Sequence, residues 1–462
     1  MTRAAPWHRA APRSSPRRRV GSALLASPAV ATFTRFSRLR QISIQHRLAG
    51  MGGHRFHQAM GCWESALRRG MEPVLFMNAD ADPAVRAALP AGRAVLRDPV
   101  FRLDLSFDER TALFVRLLHE HVDPVVRRDD RVLMTVATQC EARALATWLA
   151  ELPAGKRPWI LCLFPSDRWN RQGPAERERQ VAELRTFAAE LAARGPQARC
   201  RILFATHTPG LRDELAALLD AQVLLSPMTE VDPGLAPARP APDTGGRPPR
   251  IAVVGGARPE KGFDRLPAIV RASRERTSAV FLVQLFNEQL TPEAWAELCR
   301  LAEEPGVEAA RGQLDRAGYL ALLAAADLML LPYARIPYRQ RASGILSEAI
   351  LAGLPVVVPS GTWLSQQVES GAAAGVVYEG DEPASVAAAV AGCIAGLPAL
   401  APLARERAPV WRRSHSLDAF LDWLEREIAT RQAEEASGRR RHHRFAAWRR
   451  RWQAAVRPRV SG

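Results

Sequence analysis

"DLMLLPYARIPYRQRASGILSEAILAGLPVVVP" runs from Asp327 to Pro359. It reads as strand, loop, helix, strand. Leu328 to Leu331 and Val356 to Val358 are short apolar runs bounded by breakers. Between them Ile345, Leu346, Ala349, Ile350, Leu351 and Ala352 cover most of a helical circumference. Gly353 and Pro355 stop that helix. Two apolar strands joined through a helix pair in parallel, in a sheet covered on both faces. One residue breaks the apolar wheel. Glu348 falls between Leu351 and Ala352, which predicts a largely buried carboxylate, and a buried carboxylate is costly unless something pairs with it.

Reading outward, the same alternation fills most of the chain. Upstream in the second half come the strand "RIAVVGG", the helix "FDRLPAIVRASRER", the strand "AVFLVQLF" and the helices "TPEAWAELCRLAEE" and "RAGYLALLAAA"; downstream, "PASVAAAVAGCIAG" is a closing helix. The first half opens on the strand "QISIQH" and the glycine-rich loop "RLAGMGG". A helix follows with the stripe Phe56, Ala59, Met60, Trp63, Ala66 and Leu67. The strands "EPVLFMN", "RVLMTVAT", "PWILCLF", "CRILFAT" and "AQVLLS" alternate with further helices. A Pro/Gly/Asp-rich stretch without periodicity separates the halves. The expected organisation is a basic, disordered extension over 1–40, a first Rossmann-like domain over 41–228, a linker over 229–249 and a second such domain over 250–402. A helix over 403–430, read from "WRRSHSLDAFLDWLEREI", crosses back, and 431–462 is a basic tail. The fold class is α/β with two doubly wound sheets, and ligands of such sheets bind at the C-terminal ends of the strands.

The 462-residue chain carries a net charge of +16, but residues 1–40 and 439–459 each hold nine arginines and no acid, which leaves a nearly neutral body. Basicity confined to tails argues against a nucleic-acid-binding fold. It suits attraction to an anionic membrane face, with Phe445, Trp448 and Trp452 on one face of a basic C-terminal helix. No apolar run approaches a membrane span. "SPRRRVGSALLASPAVA" imitates a secretory or twin-arginine signal, but Ser and Pro break its apolar stretch. The six cysteines are scattered without a CxxC pair and read as reduced core residues of a cytoplasmic protein. No metal or cofactor is expected.

Only Lys156 and Lys261 are lysines among 64 basic residues. Lys261 follows a strand in "GGARPEKGFD". There Gly255 and Gly256 let backbone approach an anion, and Arg258 and Lys261 add charge. Neither GxGxxG nor a P-loop is present, and a plain surface turn is the alternative. Ser343 and Gly344 open a helix, where free N–H groups favour an anion, and Arg339 and Arg341 precede it. A diphosphate held there places a ribose diol near Glu348, a natural partner for a carboxylate. The alternative for Glu348 is a structural salt bridge with a nearby arginine.

In this order and spacing, "GxxRPEKGFD", "DLMLLPY" and "SGILSEAILAGLPVVVP" closely resemble the donor domain of GT-B glycosyltransferases of the group 1 (family 4-like) type. "MGGHRFHQAMGCWESALRRG" resembles the glycine-rich loop and first helix of their acceptor domain. The resemblance covers about residues 41–430. It implies a GT-B fold and transfer of a hexosyl-type sugar from a nucleotide-diphosphate sugar to a glycan or lipid-linked acceptor. Transfer is expected with retention, in surface polysaccharide or glycolipid synthesis, at the cytoplasmic side of a bacterial membrane. Of the family's two glutamates eight positions apart, the second matches Glu348, which would contact the ribose. The first, which contacts donor-sugar hydroxyls, is replaced by Gln340. The basic pair on the diphosphate maps to Lys261 and Arg258, and the base is expected near Gly312 to Leu314. Arg339, Arg341 and Ser343 are then candidates for the diphosphate or a sugar hydroxyl. On the acceptor side Gly52, Gly53 and His54 are implied, with His54 as base or positioning group or, alternatively, a cap of the first helix. His207 is a weaker candidate. Gln340 also keeps open a non-catalytic GT-B protein that binds a nucleotide sugar or glycan.

Overall fold

The computed structural model describes residues 39–51, 54–97, 102, 104–167, 173–194, 200–228 and 246–455; the side chains of 54 and 438–455 lie outside that description. In the first half, β1 (Arg40–Gln45), α1 (His54–Arg68), β2 (Glu72–Asn78), α2 (Pro83–Ala88), β3 (Arg93–Leu96), α3 (Phe107–Leu117), β4 (Arg131–Met134), α4 (Gln139–Glu151), β5 (Trp159–Phe164), α5 (Pro174–Ala193), β6 (Ile202–Thr206), α6 (Pro209–Leu219) and β7 (Val223–Leu225) follow in order. The second half holds β8 (Arg250–Val253), α7 (Leu266–Arg274), β9 (Val280–Leu285), α8 (Pro292–Leu301), β10 (Val307–Arg311), α9 (Arg316–Ala325), β11 (Leu328–Leu330), α10 (Arg335–Tyr338), α11 (Gly344–Leu351), β12 (Val356–Pro359), α12 (Trp363–Glu369), β13 (Gly375–Tyr378), α13 (Pro383–Ala395), α14 (Leu397–Ser414) and α15 (Leu417–Ala455).

The strands form two sheets. One has seven strands in the order β3-β2-β1-β4-β5-β6-β7, the other six in the order β10-β9-β8-β11-β12-β13. Every pairing is parallel. Both are doubly wound, so each has a crevice where the strand order reverses, at β1/β4 and at β8/β11. The pleat sorts side chains to two faces. Ile160, Cys162 and Phe164 of β5 join the core under α3, α4 and α5. Leu161 and Leu163 face the opposite way, onto Phe420, Leu421 and Leu424 of α15.

Helix α15 follows the second sheet in sequence yet packs on the first. Arg131 on β4 holds Glu425 by two nitrogens at 2.7 and 2.8 Å, and Ser65 on α1 donates to Asp418 at 2.6 Å. Arg201 pairs with Glu435 at 3.2 Å and Arg431 donates to Gln222 at 3.0 Å, so contact with the first sheet continues beyond residue 430.

Several sequence expectations are corrected. "WRRSHSLDAFLDWLEREI" is two helices, broken at His415 and Ser416, because the Ser416 hydroxyl accepts from Ala419 N at 3.1 Å and starts α15 afresh. The helix expected from Phe263 begins at Leu266, since Pro259–Lys261 is a separate 3-10 turn ended by Gly262 at φ +76°. On α1 the buried face is rotated from the expected stripe. Leu67 is 57% exposed whereas Cys62 and Ser65 are fully buried, because α15 covers that side. Elements α2, β3, α3, α10, α12 and β13 were not anticipated; α10 (Arg335–Tyr338) lies in the stretch read as a loop. Residues 1–38, 229–245 and 456–462, which carry the expected extension, most of the linker and the end of the tail, lie outside the described residues.

Candidate functional site

The β8/β11 crevice gathers most of the expected donor residues. The chain leaves β8 through Gly255, at φ +105°, and Gly256. A Cβ on Gly255 would stand 2.6 Å from Ile345 Cδ1 and 3.0 Å from Lys261 Nζ. The Lys261 amine therefore lies over the Gly255 backbone, beside the first turn of α11. A Cβ on Gly262 would stand 1.9 Å from the Pro332 carbonyl oxygen, so the turn that carries Lys261 is clamped against the end of β11. Gly255 N–H is not open to an anion: it donates to Gln284 Oε1 at 2.9 Å.

Charge is unevenly distributed here. Arg258 is held by Glu288 and lies 3.6 Å from Glu260, and Arg341 Nη1 lies 3.8 Å from the same Glu260. The Lys261 ammonium has no hydrogen bond or ion pair among the described residues, while its backbone N–H donates to the Arg258 carbonyl at 3.1 Å. Burial, then the neighbouring Arg258, brings its ammonium down to about 8, with Arg341 adding to the effect and Glu288 opposing it. A partly dried cation beside other cations, at a helix start, is a place built for an anion. At that start Ser343 caps α11 by accepting from Leu346 N at 3.2 Å. Gly344 and Ile345 have no intrahelical partner for their N–H groups, as geometry requires at the first two helical positions.

Glu348 lies one turn further in. It is half-buried rather than largely buried, because its face of the helix looks towards α9 and the crevice instead of the core. Its partner is the Tyr319 hydroxyl, which donates to Oε2. Burial and the Glu348 charge raise the Tyr319 phenol well above its ordinary range, so it stays protonated and a donor. Arg316, on the same helix as Tyr319, is lowered by burial and partly restored by Glu348. Gly312 (φ +85°) and Leu314 lie between β10 and α9, on the loop that leads to Tyr319.

Not every candidate joins this group. Arg339 is exposed. Gln340 turns to the other sheet: its carbonyl accepts from Thr208 Oγ1 at 2.6 Å, and its Cγ is 3.1 Å from where a Cβ on Gly210 would be. Its Oε1 is buried without a hydrogen-bond partner among the described residues. Gly52, Gly53 and the His54 side chain lie outside the described residues, although His54 is the first residue of α1. Three positions on, His57 is lowered by burial and then by Arg316 of α9. His207 is buried, with Nδ1 3.1 Å from Ser226 Oγ. Sequence reasoning missed Tyr319, Gln284, Glu288, Thr208 and Gly210. Only Tyr319 carried a signal, a tyrosine four residues after the helix-capping Asp315.

Solved structures share this architecture. A glycosyltransferase from Rickettsia africae matches with a TM-score of 0.59 at 9% identity, over 86% of this chain and 99% of its own. HepE from Anabaena, in complex with UDP, matches at 0.58 and 15% identity, over 85% and 100%. A sucrose-phosphate synthase from Thermosynechococcus elongatus matches at 0.57 and 16% identity, over 85% and 100%. By sequence alone the chain matches no family profile and no curated protein. At these identities the likeness establishes the fold. This chain has the GT-B fold of glycosyltransferases: two doubly wound sheets with a C-terminal helix that returns to the first.

Proposed function

We propose that the protein is a glycosyltransferase that moves a hexosyl-type sugar from a nucleotide-diphosphate sugar to a glycan or lipid-linked acceptor, with retention, in surface polysaccharide or glycolipid synthesis. The observation that carries this reading is the partly dried ammonium of Lys261, without a partner among the described residues, beside the start of α11, with Glu348 one turn away. Lys261, Arg341 and the first N–H groups of α11 take the diphosphate and stabilise the charge that grows on it as the sugar leaves. Glu348, oriented by Tyr319, accepts from the ribose diol. The loop Gly312–Leu314 receives the base. Holding donor and acceptor together supplies much of the remaining rate. HepE, bound to UDP in one solved structure and to UDP-glucose in another, makes uridine conjugates the first donors to try. The enzyme would act at the cytoplasmic membrane face, with the arginine-rich end of α15 on anionic lipid.

A neutral Gln340 favours a second reading, a non-catalytic nucleotide-sugar or glycan binder. Incubation with UDP-, GDP- and ADP-hexoses separates the two. Release of nucleoside diphosphate that is lost in Glu348→Ala supports the enzyme. Binding of a donor without release from any of them supports the second reading.

A further inference from the structure

The donor end of the crevice is completed by the other lobe. A diphosphate on Lys261 with its ribose on Glu348 has its sugar on the opposite side of the phosphates. Gln340 stands three residues ahead of Ser343, which caps α11. Gln340 does not rest on its own sheet. Thr208 Oγ1, in the loop before α6, donates to the Gln340 carbonyl at 2.6 Å while accepting from Leu211 N at 3.4 Å. Accepting from Leu211 aims the hydroxyl proton outward, at Gln340. Gly210 lies in the first turn of α6, where any L-residue could sit, yet a Cβ there would be 3.1 Å from Gln340 Cγ and 3.6 Å from its Nε2. The missing side chain is the space that Gln340 fills. The result is an amide oxygen that is buried and has no hydrogen-bond partner among the described residues, which costs free energy until an O–H or N–H reaches it.

We propose that Thr208 and Gly210 of the first lobe are positioning residues that seat Gln340, so that its amide oxygen is offered to a hydroxyl of the donor sugar. The proposal rests on the nucleotide-sugar reading above and adds that the sugar end of the site is made by both lobes. It follows that the lobes' contact sets discrimination between a nucleotide and its sugar conjugate, while nucleotide binding itself belongs to the second lobe alone.

Two measurements on the full chain test this. In the ligand-free protein, amide hydrogen exchange is read on peptides covering 335–345. Gly210→Val and Thr208→Val should exchange there several-fold faster than the parent, on the order of 5-fold, and Thr208→Ser, which keeps the hydroxyl, should return to the parental rate. Unchanged exchange in both valine variants would overturn the seating. Binding is then read with UDP and UDP-glucose as probes. Gly210→Val should keep UDP affinity within about 2-fold and lose about 10-fold for UDP-glucose. Equal loss for both probes, or loss for neither, would overturn the positioning role. A parent that binds no UDP would count against the nucleotide-sugar reading instead, and the exchange result alone would then decide the seating.

Discussion

Lys261 is where stability and function pull apart. Its ordinary value is 10.5 and the folded value is about 8. As pH falls, the unfolded chain takes this proton first, and the folded chain takes it only below about 8. The penalty on folding is therefore full below pH 8 and fades as pH rises towards 10.5. Lys261→Met should remove it, stabilising the ligand-free protein by about 2 kcal/mol at pH 7 after allowance for partial exposure. The same variant should lose nucleotide-dependent stabilisation, a pairing that thermal melts with and without UDP would show. A melting temperature that falls would mean the ammonium is already satisfied in the free protein. In the parent, UDP affinity should decline as pH rises through about 8, whereas Lys261→Arg should stay flat because a guanidinium keeps its charge. Tyr319→Phe should weaken nucleoside diphosphate binding by about 1 kcal/mol, since the carboxylate loses the donor that orients it. Its effect on inorganic pyrophosphate should be nil, and equal weakening of both ligands would move Glu348 off the ribose.

Among the elements, the turn before α7 is the most constrained. Gly262 has φ +76° and no room for a Cβ beside the Pro332 carbonyl. Gly262→Ala should cost at least about 3 kcal/mol and displace Lys261, so loss of stability and of nucleotide binding should arrive together. Near-parental denaturation with intact binding would contradict the clamp. Elements also show what sequence could reveal. The long apolar strands and capped helices were readable because burial on both faces writes itself as uninterrupted Val, Ile and Leu. β3 and β13 lie at sheet edges and are only partly buried, so their apolar residues are not framed by the breakers and neighbours of a central strand. The break at Ser416 hid inside a continuous helical pattern, because one capping hydroxyl decides it. In the site, the glycines and Lys261 on the path out of β8, and Glu348 on the path out of β11, were singled out from spacing along the chain. Tyr319, Gln284 and Thr208 arrive from other elements, and only the sheet order brings them in.

At the scale of the whole molecule, two consecutive helices tie the lobes together. Phe420, Leu421, Trp423, Leu424 and Ile428 give α15 its hold on the first sheet, and α14, joined to it through the turn at His415, adds Trp411 to the core of the second. The basic stretch beyond is a separate matter. Deleting 439–462 should leave the melting temperature nearly unchanged and reduce binding to vesicles rich in anionic lipid at low salt. Undiminished vesicle binding would remove the tail from any membrane role. The central claim is that the β8/β11 crevice binds a nucleoside diphosphate through Lys261 and Glu348. Its most direct test is calorimetric titration of the full chain with UDP, GDP and ADP at pH 7, with Lys261→Met and Glu348→Ala alongside. Saturable binding of one nucleotide by the parent, lost or much weakened in both variants while their folds persist, is the predicted result. Binding unaffected by either substitution, or no binding of any of the three, would contradict the account.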